Sequence, residues 1–264
     1  MATAAINRWR PRVDDRRFFF GLAIAMALVN ILGFSVQFAM GRSSLSAPPL
    51  VHAHGLVFMG WVLFYVVETG LAAGGVMRWH RRLGWIGTGW AAVMVILGVT
   101  ITVVVERADR VPFFFTPAYF LIMNPLSVLV FAALLAWSIA RRRRTEWHRR
   151  LIACAMAAIM GPGLGRLLPL PLFIPFAGPA VFAGMMLFPI AGALHDKRRH
   201  GRVHPAWWAG MLVLVAMQVV VETGARSPLG GALHAAATRR SPGAAIPPYD
   251  YPPPPWAKAP PPAA

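Results

Sequence analysis

The chain has 264 residues, 57% of them hydrophobic and 13% charged, with 26 Lys and Arg against 9 Asp and Glu and a net charge of +17. A soluble domain carries about 25% charged residues, so the composition excludes an ordinary water-soluble fold. The basic residues sit in short clusters between apolar runs, a pattern of membrane topology rather than of nucleic-acid binding.

Residues 1–17 carry five arginines and read as a basic N-terminus on the cytoplasmic side. Residues 18–40 hold no charge, and crossing about 30 Å of hydrocarbon takes about 20 helical residues. This run is too long for a signal-peptide core. Six more such runs follow: 52–76, 84–105, 117–140, 151–168, 172–194 and 206–224. The expectation is an all-α, polytopic transmembrane helical bundle of about seven spans over residues 18–224. With residues 1–17 inside, 18 of the 26 basic residues fall on the cytoplasmic face, which puts the N-terminus in and the C-terminus out.

Trp-His-Arg-Arg-Leu occurs twice, at 79–83 and 147–151. Both copies fall in cytoplasmic turns, where arginines meet anionic headgroups and tryptophan suits the interface. Spans 2–3 and 4–5 thus read as a duplicated helical hairpin. If the hairpins pack symmetrically, His80 and His148 approach each other and are candidates to bind a haem; otherwise they are interfacial histidines.

Ionisable residues inside spans are functional candidates because each costs several kcal/mol unless paired. In span 2, His54, Trp61, Tyr65 and Glu68 fall at i, i+7, i+11 and i+14, within about 60° of one another on a helix. This polar stripe should face other helices or a cavity. His52 and His54 are a metal or haem ligand source at its outer end. Glu222 in span 7 lies at the same depth, so His52, His54 and Glu222 form a candidate metal cluster. Gln218 sits one turn before Glu222.

Span 5 breaks at Gly161-Pro162-Gly163, and Arg166 follows. A broken helix at membrane depth lines a cavity in transporters; the plainer reading is a helix end with Arg166 snorkelling. The lone Cys154 excludes an intrachain disulfide and reads as a small packing residue. His195, His200 and His204 sit in a basic loop and read as solvated. Residues 225–264 are rich in proline and alanine and read as a disordered tail, in which His234 receives no role. Tyr249, Tyr251 and Trp256 are its candidates for docking a membrane protein partner.

Span 7 has no lysine for a retinal, and no Walker, GxGxxG, GxSxG or HExxH motif occurs. At HAHGLVFMGWVLFYVVETGL, WHRRLGWIG and EWHRRLIACAMAAIM the chain resembles a group of uncharacterised bacterial polytopic membrane proteins with His-x-His-Gly and Trp-His-Arg-Arg-Leu-Gly-type motifs. The resemblance covers residues 18–224 and implies a multi-pass protein of the bacterial inner membrane. The helix-end histidines are also similar to those of transmembrane b-type cytochromes and oxidase-assembly membrane proteins, which use histidines on facing helices to handle haem or copper. The leading expectation is a haem- or transition-metal-binding role in redox chemistry or respiratory-complex assembly, resting on His52, His54, His80, His148 and Glu222. The alternatives are a small-molecule or proton-coupled transporter using Trp61, Tyr65, Glu68 and Arg166, and a non-catalytic accessory subunit.

Overall fold

Uncharged runs of this length close into helices because lipid offers backbone N–H and C=O groups no partner outside the chain. The computed structural model describes residues 13–42 and 46–257; what the sequence suggests for residues 1–12 and 258–264 lies outside them. The helices are α1 (Val13–Ala39), α2 (Pro49–Ala73), α3 (Met77–Arg107), α4 (Pro117–Ala140), α5 (Thr145–Ala158), α6 (Gly161–Leu167), α7 (Ala177–His200), α8 (Pro205–Ala225) and α9 (Pro228–Thr238). No strand occurs among the described residues. Six helices are long and apolar enough to cross a membrane, and α5 with α6, bent by 51° at their junction, makes a seventh. The chain is an all-helical membrane bundle, as its hydropathy predicts.

Local chemistry sets the boundaries. Proline occupies the first turn of α2, α4, α6, α8 and α9, where its missing N–H costs nothing. The break after α5 falls at Ile159-Met160, just before the Gly161-Pro162-Gly163 that the sequence marks as the break and that here opens α6. Gly163 also meets α1 backbone to backbone: a Cβ there would lie 2.6 Å from Asn30 Oδ1. Two elements run past the predicted spans. α3 begins at Met77 and takes the first Trp-His-Arg-Arg-Leu copy into the helix, and α7 starts at Ala177 and continues to His200.

The core is organised around α5. Leu151 and the run Ala153–Ala158 are fully buried, and α5 packs against α1, α4, α7 and α8. α2 packs against α1 and α3, while α8 packs against α4, α5, α7 and α9. Cys154 is one of these buried residues.

The C-terminal segment corrects the reading of a disordered tail, as far as residue 257. α9 packs on α3, α4 and α8. His234 is buried, with Nδ1 2.7 Å from Glu106 Oε1 and Nε2 3.0 Å from Ile246 O. The Ala118 amide donates to Pro248 O at 2.9 Å, and Arg107 Nη1 donates to Ala237 O at 2.9 Å. Gly243 packs so tightly on the Glu106 carbonyl that a Cβ would not fit. Composition suggested disorder, but a few specific anchors outweigh a weak packing pattern. Tyr249 is one of them, bonding Ser227 O at 2.9 Å, whereas Trp256 is 77% exposed.

One end of the bundle gathers the basic residues around a buried network. Arg150 is fully buried; its Nη2 donates to Asp196 Oδ1 at 2.6 Å and its Nε to Asp196 Oδ2 at 2.8 Å. Such a fork-to-fork pair stays favourable only while both partners are present. Asp196→Ala is therefore expected to destabilise the fold by about 3–5 kcal/mol, read as a shift in chemical denaturation in detergent. The apolar double variant Arg150→Met with Asp196→Leu should recover most of that loss.

Candidate functional site

Four helices bring the conspicuous group together at the arginine-rich end. Glu68 comes from the last turns of α2, His80 from the first turn of α3, Ser138 from the end of α4 and His148 from the start of α5. The His80 and His148 rings lie 6.3 Å apart between centroids, at 71°. Their approach is the one expected if the two hairpins pack face to face.

Each imidazole is held at Nδ1. His80 Nδ1 lies 2.8 Å from Glu68 Oε2, an ion-pair separation. His148 Nδ1 lies 2.8 Å from Ser138 Oγ and 3.0 Å from Ser138 O. The Ser138 hydroxyl can spend its proton on His148 O, at 3.0 Å. The Ser138 carbonyl faces His148 Nδ1, which places that ring's proton there and its lone pair on Nε2, whereas His80 Nδ1 lies beside Glu68 without a hydrogen bond. Glu68 Oε1 and the Tyr65 hydroxyl, one turn apart on α2, are buried without a hydrogen-bond partner among the described residues.

The stripe on α2 faces the bundle: Trp61, Tyr65 and Glu68 are its buried residues, with Val62 beside them. Trp61 Nε1 donates to Met156 Sδ at 3.1 Å, and its ring meets Phe131 edge-on at 5.3 Å. His54, at the far end of the stripe, is only half-buried and packs on Phe58 with centroids 4.2 Å apart.

The other predicted cluster does not come together. Among the described residues no three His, Cys, Asp or Glu side chains are grouped as a metal site. His52 and His54 lie on α2, which packs on α1 and α3, while Glu222 lies on α8, whose neighbours are α4, α5, α7 and α9. Glu222 instead accepts hydrogen bonds from Tyr119 Oη at 2.9 Å and Gln218 Nε2 at 2.7 Å, and pairs with Arg226 at 2.5 Å. Arg166 lies over the Phe34 ring, 4.0 Å from its centroid, and donates to Pro162 O at 2.8 Å. Its partners are those of a helix end.

Three histidines read as solvated belong to the buried network. His195 Nε2 and His200 Nε2 lie 3.2 and 3.3 Å from Asp15 Oδ1, and Arg149 reaches the same carboxylate at 3.2 Å. His204 is buried, and its Nδ1 accepts from the Ala206 amide at 3.1 Å, capping α8. No local signal could have found these contacts, because Asp15 and His195 are 180 residues apart. The one available hint was scarcity: an acid with so many bases around it rarely stays unpaired.

Compared with known proteins, the chain matches no family model, no curated protein and no solved structure. The fold and the site therefore carry the functional argument alone.

His204 lies outside the membrane spans and makes the network sensitive to pH. Burial first, then the nearby Arg150 guanidinium, push its imidazole down from 6.5 to about 4. Between those values the unfolded chain takes up a proton that the folded chain refuses, so stability falls as pH drops from about 6.5 to about 4. Asn can cap α8 without titrating. Denaturation midpoints in detergent should therefore fall more steeply with acidification for the wild type than for His204→Asn; parallel curves would refute the assignment.

Proposed function

We propose that this integral membrane protein binds a transition-metal centre through Nε2 of His80 and His148, in a redox or respiratory-assembly role. What carries the reading is the paired geometry. Metal–imidazole bonds are about 2 Å, so two imidazoles on opposite sides of one metal have centroids roughly 6 Å apart, close to the 6.3 Å between these rings. Metal-ligating histidines also give their other ring N–H to a carboxylate or carbonyl, which fixes the tautomer and aims the ligand. Ser138 serves His148 in that way, and the Glu68 carboxylate lies 2.8 Å from His80 Nδ1.

A single ion fits this donor set, with water or an incoming ligand completing its coordination. A haem iron accepts the same two imidazoles, but the porphyrin needs a flat slot beside them. When bound, the metal supplies electron transfer or Lewis acidity. The chain's own residues bring the two imidazoles together and orient them.

Protein purified in mild detergent is expected to carry or take up copper, iron or zinc, detected by elemental analysis and by an absorption spectrum. His80→Ala and His148→Ala should each abolish binding. Glu68→Gln should weaken it by about 10- to 100-fold, as loss of an outer-shell partner does. A Soret band would identify haem instead of a lone ion. A colourless preparation that takes up no metal would refute the reading.

The same proposal sets the orientation. We place the arginine-rich end, and so the His80–His148 pair, in the cytoplasm of a bacterial inner membrane, because basic loops are retained on that side. In a Cys154→Ala background, cysteine at Arg143 should react with an impermeant thiol reagent only after the membrane is opened. Cysteine at Ala245 should react in intact spheroplasts. The reverse pattern would invert the topology.

A further inference from the structure

The end of the bundle away from the arginines holds a cleft that no part of the proposal above uses. It measures about 160 Å³ and is lined by Phe114, Phe115, Tyr119, Arg226, Tyr249 and Tyr251 among others. A cavity of about 150 Å³ is large enough to take a benzene ring, so the cleft is the size of one aromatic ring with a small substituent.

Its walls come from several parts of the chain. The loop before α4 supplies Phe114 and Phe115, and Phe115 stacks on Tyr119 of α4 with centroids 5.7 Å apart and planes 4° apart. The end of α8 supplies Ala225 and is followed by Arg226, and the C-terminal segment supplies Tyr249 and Tyr251. Gly178 at the start of α7 leaves the room that the Tyr119 ring occupies, since a Cβ there would collide with its hydroxyl.

The polar groups are unequally used. Tyr119 Oη is committed, donating to Glu222 Oε1 and accepting from Gln218 Nε2 at 3.0 Å. Tyr249 Oη is committed between Ser227 O and the Gly231 amide. Arg226 uses Nη1 for Glu222, on its Oε2 and its backbone carbonyl. Its Nη2 and Nε remain as donors at the cleft, with its side chain 63% exposed. The Tyr251 hydroxyl, 40% exposed with its residue, is a further donor among the lining groups. The hydroxyls of Tyr119 and Tyr249 are thus spent within the protein, while Arg226 and Tyr251 keep donors for a ligand.

We propose that this cleft is a binding site for a monocyclic aromatic carboxylate. The flat ring lies among the aromatic side chains, whose offset and edge-on contacts suit another aromatic ring. The carboxylate accepts from the free side of the Arg226 fork and from Tyr251; guanidinium matches carboxylate in both charge and planar geometry. Glu222 takes up only Nη1 of Arg226, with Tyr119 and Gln218 as its other partners, and leaves Nε and Nη2 for a ligand. The site opens at the end opposite the His80–His148 pair, so its ligand is independent of the metal reading.

The test uses the full-length protein in detergent and three probes: benzoate, cyclohexanecarboxylate and benzamide. Benzoate has ring and charge, the second has charge without a flat ring, and the third has the ring without charge. In calorimetric titrations into the millimolar range, benzoate should bind about tenfold or more tightly than either of the others, as expected for losing one charge-assisted contact. Arg226→Gln should weaken benzoate by a similar factor, and Tyr251→Phe by severalfold; both side chains are exposed enough to leave folding intact. His80→Ala should leave benzoate binding unchanged. Absence of benzoate binding, equal binding of all three probes, or undiminished binding by both cleft variants would each overturn the proposal.

Discussion

The structure depends on a helix that has no room for lipid. α5 is 14 residues long, about 21 Å at 1.5 Å per residue, which is short of the hydrocarbon thickness. It is wrapped by α1, α4, α7 and α8. Its small side chains, four alanines and a cysteine in the run Ala153–Ala158, are what let four helices approach at once; small residues at helix interfaces do this in lipid, where no hydrophobic force draws helices together. The cost falls at its N-terminus, where Glu146, His148, Arg149 and Arg150 enter the bundle with it. Each must be answered by protein: Arg150 by Asp196, Arg149 by Asp15 and Glu146, His148 by Ser138. The ion network is thus a consequence of where α5 sits.

That constraint explains why one pentapeptide has two environments. In the first copy, at the start of α3, Trp79 is 52% exposed and Arg81 and Arg82 point outward. In the second, Leu151 and Arg150 are fully buried and Trp147 packs against Trp137 and His204. α3 lies at the margin of the bundle, α5 at its centre, and identical side chains take the surroundings their helix provides. Only the histidines do the same thing in both copies: each turns inward and meets the other. A site built from this repeat is therefore more economically placed on His80 and His148 than on its arginines.

The sequence made the spans legible because hydropathy over 20 residues is a bulk property that no single contact can overrule. It also made the α2 stripe legible, since helical spacing alone puts Trp61, Tyr65 and Glu68 on one face and lipid repels that face. Partner choice was another matter. Glu222 was matched by depth to His52 and His54, yet depth says nothing about which helices are neighbours, and Tyr119 and Gln218 claim it. His234 looked idle because its flanks resemble a linker; its partner Glu106 lies 128 residues away. The extension of α7 to His200 was missed for a related reason: its last turn is polar, so it ends the apolar run without ending the helix.

The acids carry more information than the bases. There are nine against twenty-six, and a carboxylate in a membrane protein is costly unless a base answers it. Asp15, Glu68, Glu146 and Asp196 are paired at the arginine-rich end, and Glu106 and Glu222 at the other. The acids tie particular helices together. Asp15 ties α1 to α5 and α7, Asp196 ties α7 to α5, Glu106 ties α9 to α3, and Glu222 ties α8 to α4. Glu68 differs in what it selects, because its partner His80 already faces a second imidazole.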